Sequence, residues 1–358
     1  MKKIKVGIIG CGGIANGKHM PSLSKIPEVE MVAFCDIIEE RAVKAAKEYG
    51  TPDAKVFVDY HDLCALPELD VIHVLTPNKW HADPSICAME AGKHVMCEKP
   101  MAKTVADAER MLAAAKKTGK KLTIGYQNRY RQDSLTLKKA CEAGDLGEIY
   151  FAKAHAIRRR AVPTWGVFLD EEAQGGGPLI DIGTHALDLT LWEMDNYDVK
   201  SVKGTVYKKL GHQRDTGNVW GDWDADKFTV EDSAFGFIEM KNGATIILEA
   251  SWALNTLDIG EARTTLCGTK AGADMRDGLR FNYAKYNKLS TEIPDLTVGG
   301  VAFFDGEAMS EADLEARMWI DNIINDTEPM VKPEQALVVT RILEAIYNSA
   351  KTGKQIDF

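Results

Sequence analysis

The chain has 358 residues, of which 45% are hydrophobic and 27% charged, and its formal net charge is −9. At roughly 150 residues per domain this length predicts two or three domains, and the composition excludes disordered, collagen-like and disulfide-dense chains. The acidic balance disfavours nucleic acid and anionic membrane surfaces, and no apolar run approaches the roughly 18 residues of a membrane span. The seven cysteines form no CxxC pair. This pattern predicts a reduced, cytoplasmic protein with structural thiols and no cysteine-bound metal.

Residues 4–125 alternate short apolar runs with amphipathic stretches. The apolar runs predict strands over Ile4–Ile9, Met31–Cys35, Val71–Leu75, His94–Cys97 and Leu122–Ile124. The stretches between them predict helices over Ile38–Tyr49, Asp83–Ala91 and Val105–Lys117. Continuous apolar strands that alternate with helices indicate an α/β domain whose parallel sheet is covered on both faces.

Beyond residue 150 the pattern changes to alternating apolar and polar residues. It predicts strands over Glu148–Ala156, Val199–Lys208, Ser233–Met240 and Ala244–Ala250. These strands indicate an α+β domain with a mostly antiparallel, open sheet. Two helices are predicted there, Pro178–Met194 and Pro333–Ala350. The predicted domains are therefore 1–125, 126–330 and a C-terminal helical segment, 331–358, that could pack back on the first domain.

A glycine-rich turn follows the first strand and opens a helix, and it reads Gly10-Cys11-Gly12-Gly13-Ile14-Ala15. In the pattern G-x-G-x-x-A the first glycine permits the tight turn, the second admits a pyrophosphate, and Ala15 allows close packing of helix on strand. Asp36 ends the second strand 21 residues after Ala15, where it can accept hydrogen bonds from ribose hydroxyls. Its charge would repel a 2′-phosphate, so the sequence predicts NAD rather than NADP. A plain tight turn without a ligand is the alternative.

Two further segments end strands. Leu75-Thr76-Pro77-Asn78, with His81 three residues on, ends the third strand, and Glu98-Lys99-Pro100 ends the next. Together with the glycine turn and the segment Gly175–His185, they resemble the Gfo/Idh/MocA family of NAD(P)-dependent oxidoreductases, which includes glucose–fructose oxidoreductase and inositol dehydrogenases. The resemblance covers essentially the whole chain. It implies a Rossmann domain (a doubly wound parallel sheet), a second α+β domain, an active site between them and no metal.

The strand-end residues also suit this chemistry physically, because ligands of doubly wound sheets bind at the carboxyl ends of the strands. Thr76, Pro77 and Asn78 would line the ribose and nicotinamide, and Lys99 would contact both cofactor and substrate. An ordinary surface lysine paired with Glu98 is the alternative for Lys99. The predicted cofactor set also contains His81, Glu98 and Gln127. The resemblance carries Gln127 to the cofactor and Arg129 to the substrate.

The helix over 178–194 carries a second polar group. Asp181, His185 and Asp188 are spaced i, i+4 and i+7, so they share one helix face. We expect His185 to be the catalytic base and Asp181 to anchor a neighbouring hydroxyl, with Asp188 at most orienting the imidazole. Gly175–Gly177 would let the backbone approach a ligand closely. A zinc site that recruits Glu249 or His155 is a disfavoured alternative.

Aromatic and basic residues of the second half give weaker signals. Arg158, in the run Arg158–Arg160, and Trp165 could hold and stack on a sugar ring, or the run could be a solvated loop. Trp220 and Trp223 could form a stacking platform or a subunit interface. The histidines without a predicted site role are interpreted as structural: His19, His61, His73, His94 and His155.

The combined interpretation is an NAD-dependent dehydrogenase that oxidises a secondary hydroxyl of a sugar, cyclitol or glycoside. His185 would accept the hydroxyl proton and Lys99 would stabilise the developing alkoxide. The alternatives are an NAD-dependent glycosidase that oxidises its substrate transiently, and a non-catalytic NAD-binding regulator. The open sheet face predicts a homodimer or homotetramer.

Overall fold

The computed structural model describes residues 3–215, 217–296 and 309–358. The chain separates into two compact units. Unit 1 comprises Met1–Gln127 and Met309–Leu337, and unit 2 comprises Asn128–Ala308 and Val338–Phe358. The chain therefore leaves unit 1, builds most of unit 2, and supplies one further segment to each.

Unit 1 contains a parallel sheet with the strand order β3-β2-β1-β4-β5-β6. Its strands are β1 (Ile4–Ile9), β2 (Val29–Cys35), β3 (Lys55–Phe57), β4 (Val71–Val74), β5 (His94–Cys97) and β6 (Leu122–Ile124). Its α-helices are α1 (Met20–Ser24), α2 (Glu39–Tyr49), α3 (Tyr60–Cys64), α4 (Ala82–Glu90), α5 (Val105–Thr118) and, after unit 2 begins, the later helix Glu311–Ile324. The strand order reverses between β1 and β4, which makes the sheet doubly wound and confirms the predicted fold class.

The helix Glu311–Ile324 belongs to unit 1, whereas the sequence predicts that the second domain continues to residue 330. Its residues Ala316, Trp319 and Ile320 are buried in the same apolar core as Ile8 and Phe34 of the parallel sheet. The helical periodicity of this segment indicates which face is apolar, but it carries no information about which of two sheets that face will cover.

Unit 2 contains a second sheet in which the described strands run β14-β13-β12-β11-β7-β10-β9-β8-β15. The strands are β7 (Ile149–Ile157), β8 (Val199–Tyr207), β9 (Ser233–Met240), β10 (Thr245–Ser251), β11 (Gly260–Gly268), β12 (Ala271–Asp274), β13 (Arg280–Lys285), β14 (Lys288–Glu292) and β15 (Ile356–Asp357). The sheet is mostly antiparallel, as predicted, but β7 and β10 pair in parallel.

Helices cover one face of this sheet. There α8 (Thr184–Met194) packs on β7 and β11, and α6 (Gln132–Glu142) packs on α8. The short α7 (Glu171–Gln174) precedes a π-helical turn, Leu179–Gly183, that leads directly into α8. The predicted single helix over 178–194 thus begins as a wider turn. On the opposite face, Phe237 is 50% exposed, so one side of the sheet is open to solvent as predicted.

The C-terminal helix Pro333–Thr352 begins in unit 1 and continues in unit 2. A Cβ on Gly204 or Gly236 would lie 2.7 or 2.6 Å from Ile346, so the two glycines let this helix lie close against β8 and β9. Ser349 accepts a hydrogen bond from the Gly204 amide at 3.0 Å. The expectation that 331–358 packs on the first domain is therefore corrected for residues 338–358.

Two further expectations concern the cysteines, predicted to be structural thiols, and membrane-spanning helices, predicted to be absent. All seven cysteines are described, and each has a free thiol. Burial raises the pKa of Cys11 and Cys35 to about 12, which suits structural thiols rather than reactive ones. Within the described ranges, no helix is both long and apolar enough to cross a membrane.

Candidate active site

The glycine turn after β1 is shaped by backbone contacts. Gly10 has φ = +91°, and a Cβ at this position would lie 2.7 Å from the carbonyl oxygen of Leu75. A side chain here would meet both a strained backbone and the end of β4, so glycine is required. The Gly10 amide donates to the Cys35 carbonyl at 2.8 Å, which ties the turn to the end of β2.

The middle of this turn is open. A Cβ on Gly12 or Gly13 would meet no atom within 4 Å. Asn16 donates its side-chain amide to the carbonyls of Cys11 and Gly12, at 2.9 and 2.7 Å. The carbonyl groups are thus held by the helix that starts at Ala15, and the space in front of the two glycines is left for a ligand. This cradle suits the pyrophosphate of a dinucleotide.

Asp36 lies at the end of β2 and is largely buried. Its carboxylate accepts the backbone amides of Cys11 and Ile38, both at 2.9 Å. The side chain therefore fixes the glycine turn and keeps a negative charge at the position predicted for the adenosine ribose. Each carboxylate oxygen retains acceptor capacity for a hydroxyl group. These residues fit a nicotinamide dinucleotide.

The segment after β4 places Thr76 and Asn78 in half-buried positions and Pro77 on the surface. His81, by contrast, is buried, and its two ring nitrogens lie 2.7 Å from the Pro100 carbonyl oxygen and 2.9 Å from that of Thr76. Burial lowers its pKa, although the two carbonyls act in the opposite direction. His81 thus joins the segments after β4 and β5, and its assignment to the cofactor stays a prediction.

Glu98 is buried beside Lys99 and is enclosed by protein groups. One carboxylate oxygen lies 2.9 Å from Lys18 Nζ and 2.8 Å from His19 Nε2, and the other accepts the Lys99 amide at 3.0 Å. Lys18 also pairs with the buried Glu315 at 2.8 Å. The neighbouring cations hold the pKa of Glu98 well below its usual range against the effect of burial.

The Glu98 oxygens position the segment that carries Lys99, and the assignment of Glu98 to the cofactor stays a prediction. Sequence reasoning missed Lys18 and Glu315. They lie 80 residues before and 217 residues after Glu98, so no local spacing signal could have joined them. The Lys99–Pro100 peptide bond is cis, and Lys99 itself is half-buried.

Gln127 and Arg129 begin the connection to the second sheet and differ in exposure. Gln127 is half-buried. Arg129 is fully buried, and its guanidinium forms two hydrogen bonds with Asp188, at 2.9 and 2.6 Å. It also lies over the ring of Trp192. Arg129 and Asp188 thus form a buried ion pair. Their predicted roles, substrate binding by Arg129 and orientation of His185 by Asp188, stay predictions.

Asp181 and His185 lie one turn apart where the π-helical turn passes into α8, and both are half-buried. Asp181 accepts a hydrogen bond from Trp252 Nε1 at 3.0 Å. The Nδ1 atom of His185 is buried. A carboxylate and an imidazole therefore lie one turn apart at a helix start that is anchored by Trp252, the residue after β10.

The three glycines before this helix do not face a ligand. Gly175 ends α7 with φ = +85°. A Cβ on Gly176 would lie 2.0 Å from the Tyr347 hydroxyl, and one on Gly177 would lie 2.2 Å from the Glu231 carbonyl oxygen. Glu231 accepts the amides of Gly177 and Leu179 and the Tyr347 hydroxyl, at 2.8, 3.1 and 2.9 Å. The sequence predicts that a ligand comes close to this backbone, but in the structure protein atoms of Tyr347 and Glu231 lie there instead.

Three of the aromatic and basic residues meet at the surface of unit 2. The rings of Trp165 and Trp220 lie 5.0 Å apart at 74°, and the guanidinium of Arg158 lies 5.2 Å from the centre of the Trp220 ring. Arg158 is fixed by two hydrogen bonds of 2.6 Å to Glu261. Trp223 is buried and donates to the Gly211 carbonyl at 2.7 Å, so it does not belong to a platform.

The remaining histidines have protein partners. His155 Nδ1 lies 3.3 Å from Glu249, so the two extra ligands considered for zinc pair with each other. His19 and His73 lie edge to face beside Glu98. Burial lowers the pKa of His94 to about 4. In the part of the chain that the structure describes, no group of three or more His, Cys, Asp and Glu side chains is arranged to hold a metal ion.

Comparison with known proteins agrees with this geometry. Residues 4–126 match the model of an oxidoreductase family with an NAD-binding Rossmann fold, and residues 134–274 match the GFO/IDH/MocA C-terminal domain. The chain is 36% identical to D-glucoside 3-dehydrogenase of Escherichia coli over 99% of its own length and 97% of that protein. It is 32% identical to inositol 2-dehydrogenase of Salmonella typhimurium, over 56% of this chain and 57% of that protein.

A solved structure shares the fold over the full length. The aldose–aldose oxidoreductase of Caulobacter crescentus superposes with a TM-score of 0.80 at 24% identity, and the match covers 100% of both chains. Family models that match both units and a relative aligned over nearly the whole chain lead to one conclusion. The chain belongs to the GFO/IDH/MocA family of oxidoreductases, with an NAD-binding Rossmann fold.

Proposed function

We propose that this oxidoreductase is an NAD-dependent dehydrogenase that oxidises a secondary hydroxyl of a sugar, cyclitol or glycoside. The observation that carries the proposal is the placement of three polar side chains. Lys99 directly follows a strand of the doubly wound sheet, and Asp181 and His185 stand one turn apart at an anchored helix start. The names of the relatives, a D-glucoside dehydrogenase and an inositol dehydrogenase, support a substrate rich in secondary hydroxyls.

The three side chains have distinct proposed roles. His185 accepts the hydroxyl proton, and because Nδ1 is buried we assign this step to Nε2. Lys99 hydrogen-bonds the same oxygen and stabilises the alkoxide charge that develops as the proton leaves. Asp181, oriented by Trp252, hydrogen-bonds a neighbouring hydroxyl and fixes the register of the ring. NAD supplies the hydride acceptor when it is bound.

The cofactor is proposed to lie along the strand ends of unit 1. The Gly12–Ala15 segment holds the pyrophosphate, and Asp36 receives the ribose hydroxyls and disfavours the 2′-phosphate of NADP. Thr76, Pro77, Asn78 and Gln127 line the ribose and nicotinamide. This assignment rests on the open space at Gly12 and Gly13 and on the orientation of the Asp36 carboxylate.

The test is NADH formation with a panel of sugars, cyclitols and glycosides. With a verified substrate, we expect Lys99→Ala to lower kcat more than it raises KM, and His185→Ala to lower the rate by ~10²–10⁴-fold. Lys99→Arg should restore only part of the loss, because the guanidinium group is bulkier than an ammonium group and its charge is spread over a plane. Lys241→Ala and His61→Ala are exposed controls in which the rate should not change.

Three outcomes would redirect the proposal. Near-normal turnover in both Lys99→Ala and His185→Ala would remove the site assignment. Cleavage of a glycoside without net NADH would indicate the transient-oxidation glycosidase. Tight NAD binding with no NADH from any compound would indicate a regulator.

We also propose that the open face of the second sheet joins copies of the chain into a homodimer or homotetramer. Phe237 and Tyr207 are exposed on neighbouring strands β9 and β8. Uncovered aromatic area of this kind is typical of an interface. A monomeric mass in light scattering at micromolar concentration would refute this.

A further inference from the structure

Trp165 and Trp220, which we call the tryptophan corner, are large apolar side chains left on the surface of unit 2. They are 52% and 43% exposed, and their rings meet nearly at right angles at 5.0 Å. Exposing two tryptophans that could have been packed inside leaves apolar surface in water, which is unfavourable unless a ligand or partner covers it. The proposed chemistry at His185 and Asp181 makes no use of either ring.

The corner is connected to the proposed reaction centre by a chain of rings. Trp252 donates to Asp181 and lies edge to face with Phe168, at 6.4 Å between ring centres. Phe168 in turn contacts Trp165 at 6.0 Å, and Trp165 contacts Trp220. Trp252 is fully buried while Trp165 and Trp220 are not, so the aromatic chain runs outward from Asp181 to the surface.

The amide side chain of Asn218 joins the two loops that carry Trp165 and Trp220. Asn218 accepts the Val162 amide at 2.8 Å and donates to the Val162 carbonyl at 3.0 Å, which is a reciprocal pair. The Trp220 carbonyl accepts a hydrogen bond from Thr164 at 3.0 Å. The rings are therefore held in position by the backbone before any ligand arrives, and a preformed surface loses little entropy on binding.

The Trp220 ring is also fixed electrostatically. The guanidinium of Arg158 lies 5.2 Å from its centre, and the two hydrogen bonds from Arg158 to Glu261 prevent the guanidinium from swinging away. Glu261 offsets the charge of Arg158, so the corner does not carry an uncompensated cation that would select an anionic ligand. What it offers is a flat, rigid, apolar surface.

From these observations we propose that the tryptophan corner is a subsite for the aglycone of a glycoside whose sugar ring is oxidised beside Asp181 and His185. The aglycone would present a flat apolar face, either an aryl group or the C–H face of a second sugar ring, that stacks on Trp165 and Trp220. The inference rests on the proposed dehydrogenase function. It narrows the substrate class from free sugars and cyclitols to glycosides with a second ring.

The first experiment compares methyl, phenyl and glucosyl glucosides, in both anomeric forms, as substrates with NAD. In the unmodified enzyme kcat/KM should be at least tenfold higher for a glucoside with a second ring than for methyl glucoside. Trp165→Ala and Trp220→Ala should each lower this ratio about tenfold. Asn218→Ala, which keeps both rings but frees the loops, should lower it partly. Tyr286→Ala removes an exposed aromatic side chain elsewhere in unit 2 and should leave the ratio unchanged.

The second experiment measures binding without turnover, by calorimetric titration of the same glucosides into the enzyme saturated with NADH. We expect Kd to be at least tenfold lower for phenyl or glucosyl glucoside than for methyl glucoside, and the difference to vanish in Trp220→Ala. Which of the two ligands shows the preference distinguishes an aryl aglycone from a second sugar.

The outcomes separate the two proposals. Equal binding of all three glucosides overturns the subsite, even if methyl glucoside is oxidised and the dehydrogenase function stands. A binding preference without NADH formation from any glucoside, sugar or cyclitol of the panel supports the subsite and overturns the dehydrogenase. An unchanged preference in both tryptophan variants, with a smaller mass in light scattering, overturns the subsite and assigns the corner to contact between copies of the chain.

Discussion

Two glycine-rich segments precede helices in this chain, and they differ in what occupies the space that the missing Cβ leaves. At Gly12 and Gly13 of unit 1 that space is empty to 4 Å. At Gly176 and Gly177 of unit 2 it is filled by the Tyr347 hydroxyl and the Glu231 carbonyl, at 2.0 and 2.2 Å from the Cβ positions. Glycine thus leaves room for a ligand in the first segment and for the protein itself in the second.

Both segments are nevertheless held in the same way, by a buried carboxylate that accepts two backbone amides. Asp36 accepts Cys11 and Ile38 in unit 1, and Glu231 accepts Gly177 and Leu179 in unit 2. The difference lies in the third donor. Tyr347 donates to Glu231 and closes the second segment, whereas a ribose hydroxyl is proposed to donate to Asp36. A glycine motif therefore indicates a ligand only when its neighbours leave the space open.

The largest expected effect is on cofactor binding at the open segment. Gly12→Val should weaken NAD binding by ~10³-fold, about 4 kcal/mol, because the side chain enters the space assigned to the pyrophosphate. The melting temperature of the cofactor-free protein should stay within about 2 °C, since no protein atom lies near the new Cβ. Calorimetric titration with NAD and thermal unfolding check the two halves of this statement. Normal NAD binding by Gly12→Val would show that this turn is not the pyrophosphate site.

At the filled segment, Gly176 and Gly177, a larger side chain should reduce the stability of the fold rather than NAD binding. Gly177→Ala should lower the free energy of unfolding by ~3 kcal/mol, because its Cβ would press on a buried backbone oxygen that can move little. Urea unfolding of the variant measures this, with Gly12→Ala as the matched control that should unfold like the unmodified protein. If the two alanine variants were equally stable, the contrast between the segments would be lost.

The sequence predicts those parts of the structure that depend on contacts between neighbouring residues, and it fails where contacts join residues far apart in the chain. The strands Ile4–Ile9, His94–Cys97, Leu122–Ile124 and Ser233–Met240 match their predicted bounds, because a buried strand reads as a continuous or alternating apolar run by itself. β13 and β14 were missed, since their residues are largely exposed and carry no such pattern. Asp181 lies in the π-helical turn and His185 in the α-helix that follows it, one turn apart. Their shared role with Asp188 stays a prediction.

What could not be predicted depends on partners far away in the chain. Arg129 has the residue type of a substrate ligand, and only the arrival of Asp188, 59 residues later, makes it a structural ion pair. The same holds for Glu98, whose partners Lys18 and His19 precede it by about 80 residues. A spacing rule within one helix or strand has no access to such pairs.

A smaller effect concerns buried carboxylates that have fewer donors than Glu231. Glu193 is fully buried and accepts a hydrogen bond from Thr264 at 2.6 Å. Burial raises its pKa to about 8; Asp133 acts in the same direction, and Arg131 and Lys138 oppose it. The folded state therefore favours the protonated form. Its contribution to stability is complete below pH ~4.5 and is lost as the pH rises through about 8.

Glu193→Gln should accordingly flatten the pH dependence of stability. Between pH 6 and 8 the unmodified protein should lose about 2 kcal/mol more of unfolding free energy than the variant, since glutamine keeps an acceptor for Thr264 without titrating. Urea unfolding at the two pH values gives the difference, and Glu148→Gln, at an exposed carboxylate, should behave like the unmodified protein. Parallel pH profiles for the unmodified protein and Glu193→Gln would contradict the assigned titration.

The smallest expected effect is on the choice between NAD and NADP, and it tests whether a ribose hydroxyl donates to Asp36. NAD should be preferred over NADP by at least tenfold, about 1.4 kcal/mol, because the carboxylate repels a 2′-phosphate and accepts ribose hydroxyls. Asp36→Ser with Ile37→Arg should move the preference toward NADP, and the arginine has room because Ile37 is 90% exposed. Since Asp36 also holds the Cys11 and Ile38 amides, the double variant should lose some NAD binding beyond the change in preference. Ile37→Arg alone keeps the turn intact and separates the two effects: it should strengthen NADP binding modestly without weakening NAD binding. Equal kcat/KM with both cofactors in the unmodified enzyme would mean that the Asp36 carboxylate serves only the glycine turn, as Glu231 does in unit 2.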